Sequence, residues 1–433
     1  MSRATKTISI DELRLGMFIE RLDRSWLTTP FMRHRFVLSD ADDIALLKRY
    51  GIKQIVIDPT KGLDVEERVT APAAPPAPAV SPEAPSLAVS PDAPAASAPR
   101  DVPAPAPSTD RPAAIPSRAD LAIAGLVHSE SVTAMQRILE GITSAVRLDS
   151  PALRTMVTRI HDRLIENRSA MMTVTRLQQL QRFDAHIFSH VINVNVLAMA
   201  IGIEQGLDAQ RLEELALGAL LHDIGEMRLP LNLFRKGDAL TAAERGLLHQ
   251  HPRLGIALLS HSREMTETIR RIIVEHHERY DGSGYPSHLR GEAIAPLSQL
   301  VGLVDVYDAL VTSRYGRPAI TPPQAIRQIY KLGLAGQFHK TQVEHMIQCL
   351  GVYPIGSLVE LSTGERAVVV ATKAELSVKP SLKIICDAKG HPYPQPLLID
   401  LSEPDTEGPA RAILRDLDPQ QEDCRIEVYL DAT

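Results

Sequence analysis

Hydrophobic positions recur at helical spacing from Leu121 to about Cys349. Apolar residues three and four positions apart mark one face of a helix, so this period predicts a mainly α central region. Shorter apolar runs of strand character lie on either side of it. They read "GMFIERL" and "KQIVID" near the N-terminus, and "GSLVELSTGERAVVV", "SLKIICD" and "PLLIDLS" after Tyr353. We therefore expect a helical bundle with a small α+β N-terminal module, which includes a helix at "SDADDIALLKRYG", and a β-rich C-terminal tail.

The composition changes abruptly between Ala71 and Pro116, where 14 of the 32 prolines alternate with Ala and Ser. Such a segment buries too little apolar area to order itself, and alternating Pro and Ala favour an extended chain. These changes divide the chain into four predicted parts. They are the N-terminal module at 1–65, a disordered Pro/Ala-rich linker at 66–118, the helical domain at 119–350 and the β-rich extension at 351–433.

Charge and cysteine content narrow the expected partners and compartment. The formal net charge of −6 provides no general attraction to nucleic acid or to an anionic membrane. The three cysteines form no C-x-x-C pair, which favours a reduced, cytoplasmic protein. The longest apolar stretch, "VNVLAMAIGI", has about half the length that a membrane-spanning helix needs. We therefore expect a cytoplasmic location, no polymeric nucleic acid partner and no membrane span.

Histidines and aspartates occupy inward positions in several predicted helices. Burying such groups costs several kcal/mol unless each has a partner, and one alone is more often a satisfied core residue than a ligand. Four independent occurrences favour a metal cluster over a merely polar core, because imidazole and carboxylate together suit iron, manganese or zinc. The residues are His190, the pair His222 and Asp223, the pair His276 and His277, and Asp305, with His251 added after the capping box that runs from Thr241 to Glu244.

Six ordered motifs between Phe183 and Pro318 make this region similar to the HD-GYP family, a subgroup of the HD phosphohydrolase superfamily. They read "HVINV", "LLHDIG", "LPLNLFRKGDALTAAE", "HPRLG", "HHERYDGSGYP" and "DVYDALVTSRYGRP". A lone "HD" would be weak evidence, whereas six motifs at matching spacing are highly specific. The opening segment, with "LDRSWLTTPF", also resembles a small domain of unknown role that often precedes HD-GYP domains. The resemblance implies an HD-type helical bundle as the catalytic core.

The resemblance also implies hydrolysis of cyclic di-GMP, a bacterial second messenger, to linear pGpG, with GMP as the product of a second cut. Two divalent ions, iron or manganese, would provide a bridging hydroxide near neutral pH and offset charge on the phosphoryl oxygens. The implied catalytic residues are Asp223, Arg314 and Arg317, and both arginines border the substrate together with the loop of Gly284, Tyr285 and Pro286. The implied ligands are His190, His222, Asp223, His251, His276, His277 and Asp305.

Two positions depart from the family pattern. Glu226 stands where the family usually has a lysine that is thought to contact substrate phosphate. A carboxylate in contact with phosphate would cost about 4 kcal/mol at an effective dielectric near 20. His186 stands where members with three metals carry a glutamate. Both are candidate ligands of a third ion, although a solvated Glu226 just past a helix end explains that residue equally well, and we favour two ions.

These departures leave two alternatives to the enzyme. In the first, the chain is a weakly active or inactive receptor for cyclic di-GMP, or an interaction module that binds diguanylate cyclase domains through its GYP face. In the second, it hydrolyses another nucleotide, because no base-recognising residues are evident. The intact ligand set favours the cyclic di-GMP phosphodiesterase. We also expect the N-terminal module to bind another protein or a second copy, which would give a homodimer.

Overall fold

The computed structural model describes the following residues of the chain: 5–22, 36–38, 44, 47–48, 52–63, 115–143, 148–180, 186–234, 236, 240–260, 262, 265–313, 318–373, 378–403 and 410–430. Three predictions from the sequence therefore lie largely or wholly outside the described residues. They are the linker, apart from 115–118, most of the predicted helix at "SDADDIALLKRYG", and the two arginines Arg314 and Arg317.

An antiparallel four-stranded sheet forms the described part of the N-terminal module, with strand order β1-β4-β2-β3. Its own small core includes Met17, Ile19, Ile55 and Ile57. The predicted strands "GMFIERL" and "KQIVID" correspond to β2 and β4, whereas β1 and β3 were not among the predicted strands. The bounds are β1 (Lys6–Ser9), β2 (Phe18–Leu22), β3 (Phe36–Val37) and β4 (Gln54–Ile57).

The central region is helical, as the hydrophobic period predicted. Ser117 caps the first helix, because its hydroxyl accepts from the amide of Asp120 (3.2 Å) and its own amide donates to the Asp120 carboxylate (3.1 Å). The described helices are α1 (Arg118–Thr143), α2 (Ser150–Leu180), α3 (His186–Glu204), α4 (Ala209–Leu221), α5 (Leu231–Phe234), α6 (Ala242–Leu248), α7 (His251–Leu259), α8 (Glu267–Glu275), α9 (Pro296–Val311), α10 (Pro322–Leu334) and α11 (Lys340–Leu350).

Helix α3 is the central rod of the bundle. Every residue in 190–202 is buried, so the helix is covered on all sides rather than along the single stripe that the sequence predicted. Its buried amides have polar partners on the neighbouring helices: Asn193 Oδ1 lies 2.9 Å from Nε2 of His128, and Asn195 Nδ2 donates to the carbonyl of Ala216 (2.8 Å). These contacts fix how α1 and α4 lie against the rod.

A five-stranded antiparallel sheet of order β8-β7-β6-β5-β9 forms the C-terminal unit. The predicted hairpin turns at Gly364, where φ is +83°. Strand β9 was missed, and "CRIEVYL", grouped with the predicted strands, contains a short helix. The bounds are β5 (Leu358–Leu361), β6 (Arg366–Ala371), β7 (Ser381–Cys386), β8 (Pro392–Asp400), β9 (Ile413–Leu417) and α12 (Glu427–Leu430).

Both faces of this C-terminal sheet are packed. One face, which includes Val359 and Leu382, belongs to the same hydrophobic core as the helices. The other face packs with Leu430 of α12 and with Leu177 near the end of α2. The helices and the sheet therefore share one continuous interior. Among the described residues, no helix combines the length and the apolar character needed to cross a bilayer.

Candidate metal centre

Histidines and aspartates from separate helices meet at one place in the bundle. The structure brings together all seven ligands that the sequence predicted. Within each of two groups the ligand atoms lie within 4.8 Å of one another. One group is His190, His222 and Asp305, and the other is Asp223, His251, His276 and His277.

Two glycines allow the ligand-bearing segments to approach. A Cβ on Gly225 would lie 1.8 Å from the carbonyl oxygen of His251, and one on Gly302 would lie 2.0 Å from that of His276. Either contact is far shorter than real Cβ atoms permit. From the sequence alone Gly225, which follows an apolar helical pattern, would be predicted to end a helix. That prediction is wrong: α4 ends at Leu221, and Gly225 lies without a left-handed φ in the following 3₁₀ segment. Close backbone approach, not a helix cap, explains this glycine.

Three histidines use the same local bond to fix their rings. In each, Nδ1 lies within hydrogen-bonding distance of the carbonyl oxygen three residues earlier. A carbonyl can only accept, so Nδ1 carries a proton, and in the neutral ring that a metal requires Nε2 keeps its lone pair. The Nδ1–oxygen distances are 2.8 Å from His222 to Ala219, 2.8 Å from His251 to Leu248 and 3.0 Å from His276 to Ile273.

The fourth imidazole, that of His190, bonds a carboxylate instead. Its Nδ1 lies 2.7 Å from Oδ2 of Asp308, and Oδ1 of Asp308 accepts from Nε2 of Gln179 (2.9 Å). A carboxylate behind a metal-binding imidazole fixes the ring and raises its basicity. Asp308 lies one turn after Asp305 on α9 and was not among the predicted site residues. Gln179 was missed, because nothing local links it to a partner 129 positions away.

Asp223 lies between the two groups of imidazoles. Its Oδ2 is 3.1 Å from Nε2 of His222 and 3.5 Å from Nε2 of His190. Its Oδ1 is 3.4 Å from Nε2 of both His251 and His276. One carboxylate oxygen thus faces each group, which is the arrangement that a ligand bridging two cations requires.

The nitrogen atoms at the centre fit a divalent metal better than a hydrogen-bonded core. Nε2 of His251 and Nε2 of His276 are 3.3 Å apart, although each ring already carries its proton on Nδ1. Two lone pairs that face each other repel unless a cation lies between them. Nitrogens bound to one ion at about 2.1 Å stand about 3.0–3.4 Å apart. The buried Nε2 of His222 also makes no hydrogen bond within the described part of the chain.

Burial and neighbouring charges set the protonation states that metal ligands need. Burial lowers the pKa of His251 to about 4 and holds the pKa of His277 well below its ordinary value. Burial acts to raise the pKa of Asp223, but its imidazole neighbours, His222 foremost, hold that pKa well below its usual range. Burial likewise acts to raise the pKa of Asp305, but the contact with His190 and the charges of His190 and His277 together hold that pKa below its usual range. Near neutral pH both carboxylates are ionised and these two rings are neutral.

The predicted GYP loop lies directly against the ligands. The ring of Tyr285 stacks on His277 (4.6 Å between centroids) and, on its other side, on His249 (3.8 Å). The buried carboxylate of Glu278 accepts the amides of Ser287 (2.7 Å) and Leu289 (3.0 Å). The loop is therefore anchored beside the metal centre, with Tyr285 packed on one of its ligands.

The remaining predicted loop residues, Gly284 and Pro286, flank Tyr285. Gly284 is buried: a Cβ there would lie 2.4 Å from the carbonyl oxygen of His277. Nη2 of Arg253 donates to the carbonyl of Pro286 (3.1 Å). Contact of this loop with substrate stays a prediction. Sequence reasoning missed His249 and Glu278, although both lie in or beside quoted motifs, because their partners become visible only in the fold.

Of the two candidate ligands of a third ion, only Glu226 has a described side chain. His186 begins α3, and its side chain lies outside the described part of the chain. Glu226 is half-buried in the 3₁₀ segment Ile224–Arg228 and belongs to neither group. Its charge acts on the GYP loop: burial, then the carboxylates of the centre, and then Glu226 raise the pKa of Tyr285.

Three family models match the chain. An HD domain matches residues 160–337, a domain of unknown function (DUF3391) matches 5–150, and a KOW domain associated with HD domains matches 358–418. Residues 160–337 form an HD domain. The HD domain contains every residue of the two ligand groups. The match ahead of it confirms the resemblance of the opening segment to a small domain of unknown role.

Several curated proteins are similar to this chain. Cyclic di-GMP phosphodiesterase PA4108 of Pseudomonas aeruginosa is 28% identical over 392 residues, which are 90% of this chain and 87% of that protein. The cyclic di-GMP phosphodiesterase response regulator RpfG of Xanthomonas campestris is 30% identical over 192 residues, 43% of this chain and 51% of that protein. The 3'3'-cGAMP-specific phosphodiesterase 2 of Vibrio cholerae is 28% identical over 161 residues, 37% of this chain and 31% of that protein.

Gly302→Ala tests the close approach of α8 and α9. The added Cβ meets the backbone of His276 and must separate the two helices, so we expect a loss of about 1–3 kcal/mol in the free energy of unfolding. Because His276 moves, Mn²⁺ binding measured by calorimetric titration should weaken by about tenfold or more. Gly246→Ala is the matched control, since a Cβ there meets nothing within 4 Å. Unchanged Mn²⁺ affinity in Gly302→Ala would contradict the role given to this glycine.

Proposed function

We propose that this chain is a metal-dependent phosphodiesterase that hydrolyses cyclic di-GMP to linear pGpG, with GMP as the product of a second cut. The observation that carries the proposal is the position of Asp223, whose two carboxylate oxygens each face imidazole Nε2 atoms of a different group. The names of PA4108 and RpfG, both cyclic di-GMP phosphodiesterases, support the choice of substrate.

The HD domain implies a divalent metal cofactor, and we propose two ions, iron or manganese. His190, His222 and Asp305 would hold one ion with Oδ2 of Asp223. His251, His276 and His277 would hold the other with Oδ1. Mixed imidazole and carboxylate ligands suit these metals. When bound, such ions would lower the pKa of a bound water and offset the charge that develops on the phosphoryl oxygens.

The chain's own groups prepare the site for that chemistry. Hydrogen bonds from Nδ1–H to fixed oxygens hold the rings of His190 and His222 in one tautomer. These rings therefore need not reorient when a metal ion binds. The stack of Tyr285 on His277 covers one face of that imidazole. Arg314 and Arg317, carried over from the family motif, would bind the substrate phosphates bidentately.

The rival function is that of a receptor, which binds cyclic di-GMP or a diguanylate cyclase domain without rapid turnover. One observation favours it: the negative charge of Glu226 acts on Tyr285, in the loop that is predicted to border the substrate. The complete set of seven ligands favours the enzyme, because a receptor needs no metal-bound water. Cyclase binding, the homodimer and the cytoplasmic location stay predictions.

His222→Ala tests the enzyme. Wild-type protein purified without oxygen should hold about two equivalents of iron or manganese. It should convert cyclic di-GMP to pGpG, and chromatography of the reaction mixture measures that product. The variant should lose metal and at least about a thousandfold in kcat, because the ring faces the shared carboxylate. His161→Ala removes a partly exposed imidazole on α2 whose polar contact, with the neighbouring Asp162, lies away from both ligand groups, and should leave metal content and kcat unchanged.

Three outcomes of that experiment would contradict the proposed function. Full turnover by His222→Ala would refute the site. Tight binding of cyclic di-GMP by metal-loaded wild-type protein without product would support the receptor. Faster cleavage of 3'3'-cGAMP than of cyclic di-GMP would refute the assigned substrate.

Glu226→Lys and Glu226→Gln test the departure at this position. Removing a carboxylate beside the proposed phosphate site should lower KM for cyclic di-GMP. The Lys variant should gain about tenfold in kcat/KM, equivalent to about 1.4 kcal/mol, and the Gln variant less. Metal content, measured in parallel, should not change. Loss of one equivalent of metal in both variants would instead identify Glu226 as a ligand and contradict its exclusion from the two groups.

A further inference from the structure

A continuous row of buried polar contacts runs outward from the metal centre. It begins at His190, whose Nδ1 bonds Asp308 (2.7 Å), and continues where Nε2 of Gln179 donates to Asp308 (2.9 Å). On its other side, Oε1 of Gln179 accepts from Nη1 of Arg176 (3.4 Å). All four residues are buried. The row thus connects a proposed metal ligand on α3 to a guanidinium on α2.

Arg176 lies where the helices meet the C-terminal sheet. Its Nη1 also donates to the carbonyl of Val311 (3.3 Å), but no carboxylate of the described residues lies within 4.0 Å of it. A buried guanidinium without an ion pair is costly, so a purely packing role would be served better by an apolar residue. The retained charge therefore indicates a specific use.

The C-terminal unit covers this guanidinium. Gly356, at the turn before β5, has φ +82°, and a Cβ there would lie 2.8 Å from Cγ of Arg176. The same position is 3.3 Å from Cδ1 of Leu430 on α12. A cavity of about 20 Å³, room for one water, is lined by Arg176 and Gln179 from the helices and by Ile355 and Thr372 from the C-terminal unit.

Arg176 determines which way the amide of Gln179 points. The guanidinium has only donors, so the amide oxygen of Gln179 must face it and the amide nitrogen must face Asp308. Without Arg176 the amide could turn its oxygen toward the carboxylate, and Asp308 would lose the hydrogen bond from Gln179. An Asp308 carboxylate that is less firmly held would orient the ring of His190 less firmly.

We propose that Arg176 and Gln179 are positioning residues through which packing of the C-terminal sheet sets the metal affinity of the centre at His190. This inference rests on the proposed metal site. It gives the C-terminal unit a role beyond covering apolar surface: when the turn at Gly356 packs on Arg176, His190 is held in the orientation that binds metal. When that packing loosens, metal is held less tightly.

Two variants test the row without altering a proposed ligand. Gln179→Met keeps the side-chain volume and removes the amide. Gly356→Ala disturbs the packing of the C-terminal unit on Arg176. The matched control is Gly364→Ala, since Gly364 has nearly the same backbone conformation (φ +83°) in the same sheet but faces Ala388. Arg176→Lys, which keeps a donor and a charge, serves as the conservative replacement.

The dissociation constant for Mn²⁺ is measured from the electron paramagnetic resonance signal of the free ion, with the full chain. We expect Gln179→Met to weaken binding by about tenfold or more, the range for groups behind metal ligands. Gly356→Ala should weaken it by about three- to tenfold, typical of coupling through packed contacts. Gly364→Ala should bind like wild type, and Arg176→Lys should lose less than Arg176→Met.

The possible failures are distinguishable. Wild-type protein that binds no Mn²⁺ or Fe²⁺ would overturn the proposed function, and this inference with it. Wild-type protein that binds metal, with Gln179→Met and Gly356→Ala equal to it, would overturn only this inference. Equal weakening in Gly356→Ala and Gly364→Ala would also overturn it, because the effect would then be general destabilisation. If Gly356→Ala fails to fold, Gln179→Met and the two Arg176 variants decide.

Discussion

The central constraint on this structure is electrostatic. Without a cation, the buried imidazole nitrogens and carboxylates at its centre would repel one another. Several imidazoles direct their Nε2 lone pairs to the carboxylate of Asp223, while their Nδ1 protons are bonded elsewhere. An interior of this kind, with little water, stabilises neither a cluster of lone pairs nor an ionised carboxylate. A divalent ion satisfies both. The features around the centre, from helix ends to glycine contacts, serve to hold these donors together in the buried core.

The bundle achieves this by placing ligands where helices end. His222 follows α4, His251 begins α7 and His276 ends α8, so rigid rods deliver them while the backbone can still turn. Carbonyls at helix ends have no partner within the helix, and here they accept the Nδ1 protons. Groups that a helix end leaves unsatisfied thus orient the ligands. The GYP loop is then held in place by Glu278, beside the site that it borders.

Much of the fold and of the site could be predicted from the sequence. Inward His and Asp positions follow from helical periodicity, and the ordered motifs indicated the HD domain and the proposed ligand set. Contacts between distant segments could not be predicted. Asp308 and Gln179 are far apart in the chain, β9 has a weak alternating pattern, and Gly225 looks like a helix stop although its role is close approach to His251. Such features depend on which elements become neighbours, which local patterns do not encode.

The most direct test of the metal centre is a crystal structure of the protein grown with Mn²⁺, with anomalous diffraction recorded at the manganese absorption edge. We expect two anomalous peaks, one on either side of the Asp223 carboxylate, each within bonding distance of the Nε2 atoms of its own group. A single peak would contradict the bridging role of Asp223. Absence of peaks at these ligands, with manganese bound elsewhere or not at all, would contradict the metal centre itself.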